Sequence, residues 1–208
     1  MQTKVRAMKS VADVETDLKA TEGGVLHSVN YATILTAKGY GWKAITTTGV
    51  AGLVVRPSTV PLMCCHNGEA GGGKVYVIEQ AFAFNLVAAA AADYTLWACV
   101  HPVGRTASAS VITPAMIRST RGISAYGGNA KIDDDTAVLD DGWFPISESF
   151  HTVTVTTPGG GLLAEIGGRI IVPPTAAISL QVVGTVNTQT FTVGLHWFEV
   201  PQNELGLG

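Results

Sequence analysis

The sequence predicts an all-β fold, an antiparallel β-sandwich of jelly-roll type with an extended N-terminal arm. Three observations predict it. From Trp42 onward, short runs rich in β-branched and aromatic residues recur at regular spacing. Glycine, proline and asparagine punctuate them with turn chemistry. No alternation of strand with helix runs along the chain, and no internal repeat of 20–50 residues marks a solenoid or propeller.

The arm comes first. Residues 1–22 hold eight of the 29 charged side chains, and no clean helical stripe runs through them. Ser10 as cap and Asp13 at the capping-box position allow a short helix over residues 10–19, ended by Gly23-Gly24. Residues 1–40 read as a segment lying along the body or along a neighbour, and residues 41–208 as the sandwich domain.

Within the sandwich, residues 44–48 and 49–56 are β-branched and stop at Pro57. Residues 61–66 form a short apolar run ended by the turn pair Asn67-Gly68. Residues 74–84 form a long strand. Strict alternation puts Val75, Val77, Ala81 and Ala83 on one side and Tyr76, Ile78, Phe82 and Phe84 on the other. With both sides apolar, this strand is expected to be central and covered on both faces. Residues 94–101 form the next strand, closed by Pro102. Residues 103–149 are an irregular insertion punctuated by Pro114, Gly127-Gly128 and Pro145. Strands resume at residues 151–157. Residues 162–166 and 169–172 flank Gly167-Gly168 and read as a hairpin. Residues 178–183 and 190–200 are the last two strands.

Bulk properties narrow the function classes. Charged residues make up 14% of the chain and hydrophobic residues 47%, where soluble domains carry about 25% charge. A surface so poor in charge is expected to be covered by other protein. With a net charge of −3 and scattered cations, no basic stripe is available for direct contact with nucleic acid. No apolar run reaches the length of a membrane span, so no membrane partner is expected. The first residues lack the apolar centre of a secretory signal, which points to synthesis in a cytoplasm. Cys64, Cys65 and Cys99 are an odd set and read as reduced, buried thiols.

No catalytic, cofactor or metal site emerges. Residues 68–75 match the spacing of a phosphate loop, but Val75 stands where Ser or Thr should hold magnesium, and a strand follows instead of a helix. They read as a glycine-rich loop. Asp133, Asp134, Asp135, Asp140 and Asp141 lack EF-hand spacing and read as a solvated acidic loop. Cys64, Cys65 and His66 have no second paired group to complete a zinc shell, and no G-x-S-x-G elbow occurs. His196 and Glu199, three apart, fall on opposite faces of a strand. Trp97 and Trp197 lie inside strands and read as core. Trp143, beside Phe144 and Pro145 in a loop, is the exposed aromatic, suited to a subunit contact or to sugar stacking. The candidate interface residues are Trp143, Phe144, Trp42 and Tyr126.

Residues 168–174, 177–183 and 191–201, with the stretch from Asn67 to Phe84 and the segment from Tyr126-Gly127-Gly128 to Gly142-Trp143-Phe144-Pro145, resemble jelly-roll virion structural proteins of tailed bacteriophages, including capsid cement or decoration proteins. The likeness spans roughly residues 60–201. It implies a dimer or trimer on the capsid exterior, assembled in the host cytoplasm, that binds major capsid protein or other virion proteins and braces their contacts, with the arm as clamp. Two other readings are a head-fibre, tail or baseplate component and a carbohydrate-binding sandwich or adhesin.

Overall fold

The computed structural model describes residues 6–8, 15–17, 31–58, 61–87, 91–104, 116–122, 125–133, 140–152 and 160–207. Two antiparallel sheets pack face to face, as the strand pattern predicts. The first carries β12 (Gly161–Val172), β6 (Lys74–Val87), β14 (Thr190–Pro201), β3 (Gly41–Ile45) and β8 (Arg118–Ser119) in that order, with β4 (Val50–Ala51) beside β14. The second carries β10 (Phe144–Pro145), β7 (Ala92–His101), β13 (Ala177–Gly184), β5 (Met63–Asn67) and β9 (Ala130–Asp133), with β11 (Phe150–Thr152) also on β7. β14 lies between β3 and β6, and β13 lies between β5 and β7. Late strands thus insert between early ones in both layers, the two nested Greek keys of a jelly roll. The insertion supplies β8, β9 and β10. β8 prolongs the first sheet beyond β3 and β9 prolongs the second beyond β5.

The core sits between the layers. Tyr76, Ile78, Leu195 and Trp197 from the first sheet meet Leu96, Ile178, Leu180 and Ile132 from the second. Asn67 ties the corner between them. Its side-chain amide donates to the carbonyls of Lys74 and Val172, each at 3.0 Å, while Oδ1 accepts from the Glu69 amide. The glycine-rich stretch after it is a loop, and Lys74 opens β6 as a strand.

Four local expectations are corrected. Residues 15–17 are not helical: β2 (Glu15–Asp17) pairs antiparallel with β1 (Arg6–Met8). The arm is not extended throughout, because Tyr31–Ala37 forms helix α1. Leu35 of α1 is buried with Val75, Val77, Phe198 and Val200 on the outer face of the first sheet, and Lys38 and Tyr40 close the contact by bonding Glu204 at 2.5 and 2.9 Å. Only residues 50–51 of the 49–56 run are strand. The expected hairpin at Gly167-Gly168 is one continuous strand, β12. Both glycines take positive φ, 58° and 77°, and the pairing with β6 slips between Glu165 and Ile170. The glycines therefore bulge the strand without reversing it, and the Arg169 side chain holds the bulge by donating to the carbonyls of Glu165 and Ile166.

A second bulge lies at Glu79 of β6. Against β14, Gln80 pairs with His196 but Ile78 pairs with Trp197, so Glu79 is the extra residue. Side-chain parity reverses across it. Tyr76 and Ile78 point into the core, and beyond the bulge so do Ala81 and Ala83. Phe82 and Phe84 are left on the outside, opposite to strict alternation. β6 is central, as expected, but only its first half is covered on both faces.

Candidate functional site

Three of the four candidate interface residues are interior. Trp143 is 3% exposed, not the exposed loop aromatic that its neighbours in sequence suggest. The Arg56 guanidinium donates to the carbonyls of Asp141 and Trp143. That folds residues 140–143 onto the outer face of β7, where the indole meets the His101 ring edge-on at 6.3 Å. Trp42 is buried against Tyr126 in a T-shaped contact at 4.9 Å. The Tyr126 hydroxyl donates to Glu199 Oε1 and accepts from the Ala130 amide, both at 2.6 Å. Phe144 alone is exposed. Trp197 is core, as expected. Trp97 is not: it is half-buried on the outer face of β7, opposite Pro145.

The exposed apolar surface lies elsewhere. Leu163, Phe82, Gly194 and Ile45 are cross-strand neighbours on β12, β6, β14 and β3, all on the outer face of the first sheet. Phe84 and Leu86 continue the patch along β6. Leu163 is 55% exposed, Phe84 48% and Ile45 42%. Gly194 is the floor of the strip, because a Cβ there would stand 2.2 Å from the Phe82 ring. The next row runs Glu165, Gln80, His196, Lys43 across the same four strands. One end of it is anionic and the other cationic, and both end residues are exposed. Half-burial beside Lys43 lowers the pKa of His196, with burial the larger cause.

Glu199 faces inward and His196 outward, on opposite faces as their spacing predicts. Burial pushes the Glu199 carboxyl above the ordinary carboxylate range, against the opposing hydrogen bond from Tyr126 and the charge of Lys74, whose Nζ is 3.6 Å away.

A polar layer covers the outer face of the second sheet. Asp133, Cys64, Ser179 and Cys99 are successive cross-strand partners on β9, β5, β13 and β7. All are buried. His101, two residues along β7, places Nε2 2.7 Å from Ser179 Oγ and Nδ1 2.9 Å from Asp140 Oδ2. Cys99 Sγ lies 3.6 Å from the same Nδ1. The His101 hydrogen bond holds the Asp140 carboxyl below its ordinary range, with burial opposing it. Burial pushes the Cys64 thiol up.

The order Asp140–His101–Ser179 is that of an acid–base–nucleophile relay. Ser179 is in mid-strand and 0% exposed, however, so no substrate carbonyl reaches its Oγ in this conformation. The expected acidic loop also divides. Asp133 is buried on the sheet and Asp140 turns to His101, while Asp134 and Asp135 lie outside the described residues. The sequence reading missed this constellation. Its one local signal is Cys99-x-His101, two ligand types on the same face of a strand.

No protein-family model and no curated protein matches this chain. A solved structure with some similarity is that of deformed wing virus carrying the GFP gene, with 9% identity and a TM-score of 0.21. The match covers 96% of this chain and 53% of the other, so the chain spans about half the length of that protein. A TM-score that low does not establish a shared fold.

Proposed function

We propose that this chain is a structural virion protein that self-associates through the outer face of its first sheet and braces a capsid lattice, as a cement or decoration subunit of a tailed phage. The observation that carries the reading is the parity reversal at Glu79. It brings two alanines into the core and turns two phenylalanines outward, Phe82 half-buried and Phe84 exposed. A monomer gains nothing from that exchange, whereas an assembling subunit gains an adhesive face.

The occupant of that face is a second copy of this chain. A two-fold axis along the strands, lying between two such faces, exchanges the β12 and β3 edges. Lys43 of each copy then meets Glu165 of the other, and Ile45 meets Leu163. Strip and charges are thus self-complementary, as a two-fold interface requires. The low charge content and the resemblance to phage jelly-roll virion proteins support the capsid context.

Sedimentation equilibrium of the purified chain, followed by co-sedimentation with expanded capsids, tests the proposal. A concentration-dependent dimer that binds capsids is expected. A monomer at about 100 μM, where a contact with a Kd of about 1 μM would be almost fully formed, overturns it. Removal of residues 1–30, which spares α1, tests the arm as the capsid clamp. Undiminished capsid binding by the truncated chain refutes that role.

A further inference from the structure

We propose that Cys99, His101 and Asp140 form a binding site for a zinc-type divalent metal ion, with Ser179 as the partner that orients the histidine. Thiolate, imidazole and carboxylate are the three ligand types zinc accepts, and three protein ligands plus water is one of its standard shells. Here Sγ, Nδ1 and the carboxylate oxygen all lie within 4.8 Å of one another.

The separations suit an ion placed between them. Zinc–sulfur, zinc–nitrogen and zinc–oxygen bonds of about 2.3, 2.05 and 2.1 Å at tetrahedral angles imply roughly 3.5 Å between S and N and roughly 3.4 Å between N and O. Sγ and Nδ1 are 3.6 Å apart and need no movement. Oδ2, at 2.9 Å from Nδ1, needs to withdraw by about half an ångström, a small rotation for a carboxylate on a loop.

The supporting contacts are those of a metal site. Ligating histidines almost always donate their other ring N–H to a fixed acceptor, and Ser179 Oγ stands 2.7 Å from His101 Nε2. Asp140 Oδ1 accepts from the Gly142 amide at 2.9 Å, which leaves Oδ2 aimed at the histidine. Cys99 and His101 are buried, while the Asp140 side chain is 19% exposed and gives the ion its way in. On binding, the thiol proton and any proton on Nδ1 leave to solvent. The ion would pin residues 140–143 of the insertion to β7.

The test is cobalt titration of the full chain, read by the thiolate-to-cobalt absorption band and by the intensity of the visible bands of a tetrahedral site. One equivalent of cobalt should give both signals, zinc should displace it, and zinc should raise the melting temperature. Cys99→Ser should abolish the thiolate band and Cys64→Ser should keep it. Ser179→Ala should keep the spectrum with affinity about 10- to 100-fold weaker. Should Cys99→Ser fail to fold, the partly exposed Asp140→Asn decides the matter through an affinity loss of at least about tenfold. Absence of a cobalt signal from folded wild type, a band that survives Cys99→Ser or disappears in Cys64→Ser, or unchanged affinity in Asp140→Asn overturns the assignment.

Discussion

Replacing Phe84 and Leu163 together by serine tests the self-association face most directly. Both side chains point outward from the first sheet, and each exposes about half its surface, 48% and 55%. Full burial of a Leu or Phe side chain is worth about 1.5–3 kcal/mol, so covering the exposed halves is worth about 0.75–1.5 kcal/mol each. A two-fold interface counts every side chain twice, which makes the four groups worth about 3–6 kcal/mol. At about 1.4 kcal/mol per tenfold, the dimer should weaken by roughly 10²- to 10⁴-fold. Neither side chain belongs to the core, so monomer stability should change by no more than about 0.5 kcal/mol. Sedimentation equilibrium gives the first quantity and a urea melt the second. Charge exchange adds a geometric check. Lys43→Glu alone should weaken the dimer, and Lys43→Glu combined with Glu165→Lys should restore it, because the two-fold pairs these residues between copies. Unchanged association in the serine variant, or failure of the exchanged pair to recover, would refute the reasoning.

Further predictions concern the fold. Leu35→Ala should cost about 2–5 kcal/mol in a urea melt, since Leu35 is the buried anchor of α1 on Val75, Val77, Phe198 and Val200; a loss below about 0.5 kcal/mol would show that α1 contributes nothing to holding the sheet. Glu199 titrates above its ordinary range in the folded chain because it is buried. Its contribution is therefore fully present below the unfolded carboxylate pKa and is lost as pH rises through the folded value. The stability of wild type relative to Glu199→Gln should fall upward from about pH 4.5; a flat difference between the two melts across that window contradicts the burial argument. Gly194→Ala should destabilise by about 1–3 kcal/mol, since its Cβ would meet the Phe82 ring at 2.2 Å and the Ala44 carbonyl at 2.9 Å; an unperturbed melting curve would mean the strip has no glycine floor.

Much of the sandwich is legible in the residues themselves. β7, β13 and β14 fall within two residues of their expected ends, because each is a β-branched or aromatic run bounded by Pro or Gly. What escapes reading is whatever depends on a neighbour. A glycine pair signals a turn and a bulge alike, and only the unbroken partner β6 makes Gly167-Gly168 a bulge. Alternation along residues 74–84 assigns faces correctly up to Ile78 and wrongly beyond, because no residue type announces the extra residue at Glu79. α1 has seven residues and one buried side chain, too few for a helical period. Trp143 is tied down through its carbonyl by Arg56, 87 residues away in sequence. The His101 cluster is illegible for the same reason. Asp140 and Ser179 reach the histidine across 39 and 78 residues, and only the sheet order makes them neighbours.

The two halves of β6 show how the fold divides its surface. Before Glu79 the outward residues Val75 and Val77 are covered by the chain itself, through α1. After Glu79 the outward residues include Phe82 and Phe84, and Phe84 is left 48% exposed. Without the bulge, the phenylalanines would follow Tyr76 and Ile78 into the core and the alanines would face outward, leaving an outer face of low adhesiveness. The inward positions are instead held by Ala81 and Ala83, whose small side chains leave room for Leu96, Phe191 and Leu195 between the layers. The core is therefore built around the reversed parity, and the outward phenylalanines cannot be returned to it without overpacking. Inserting an alanine between Gln80 and Ala81 should consequently do more than lengthen a strand: it should force either the phenylalanines inward or the pairing of β6 with β14 to slip. Loss of the cooperative melt in that insertion, with association retained in Glu79→Ala, is the result that a built-in reversal requires.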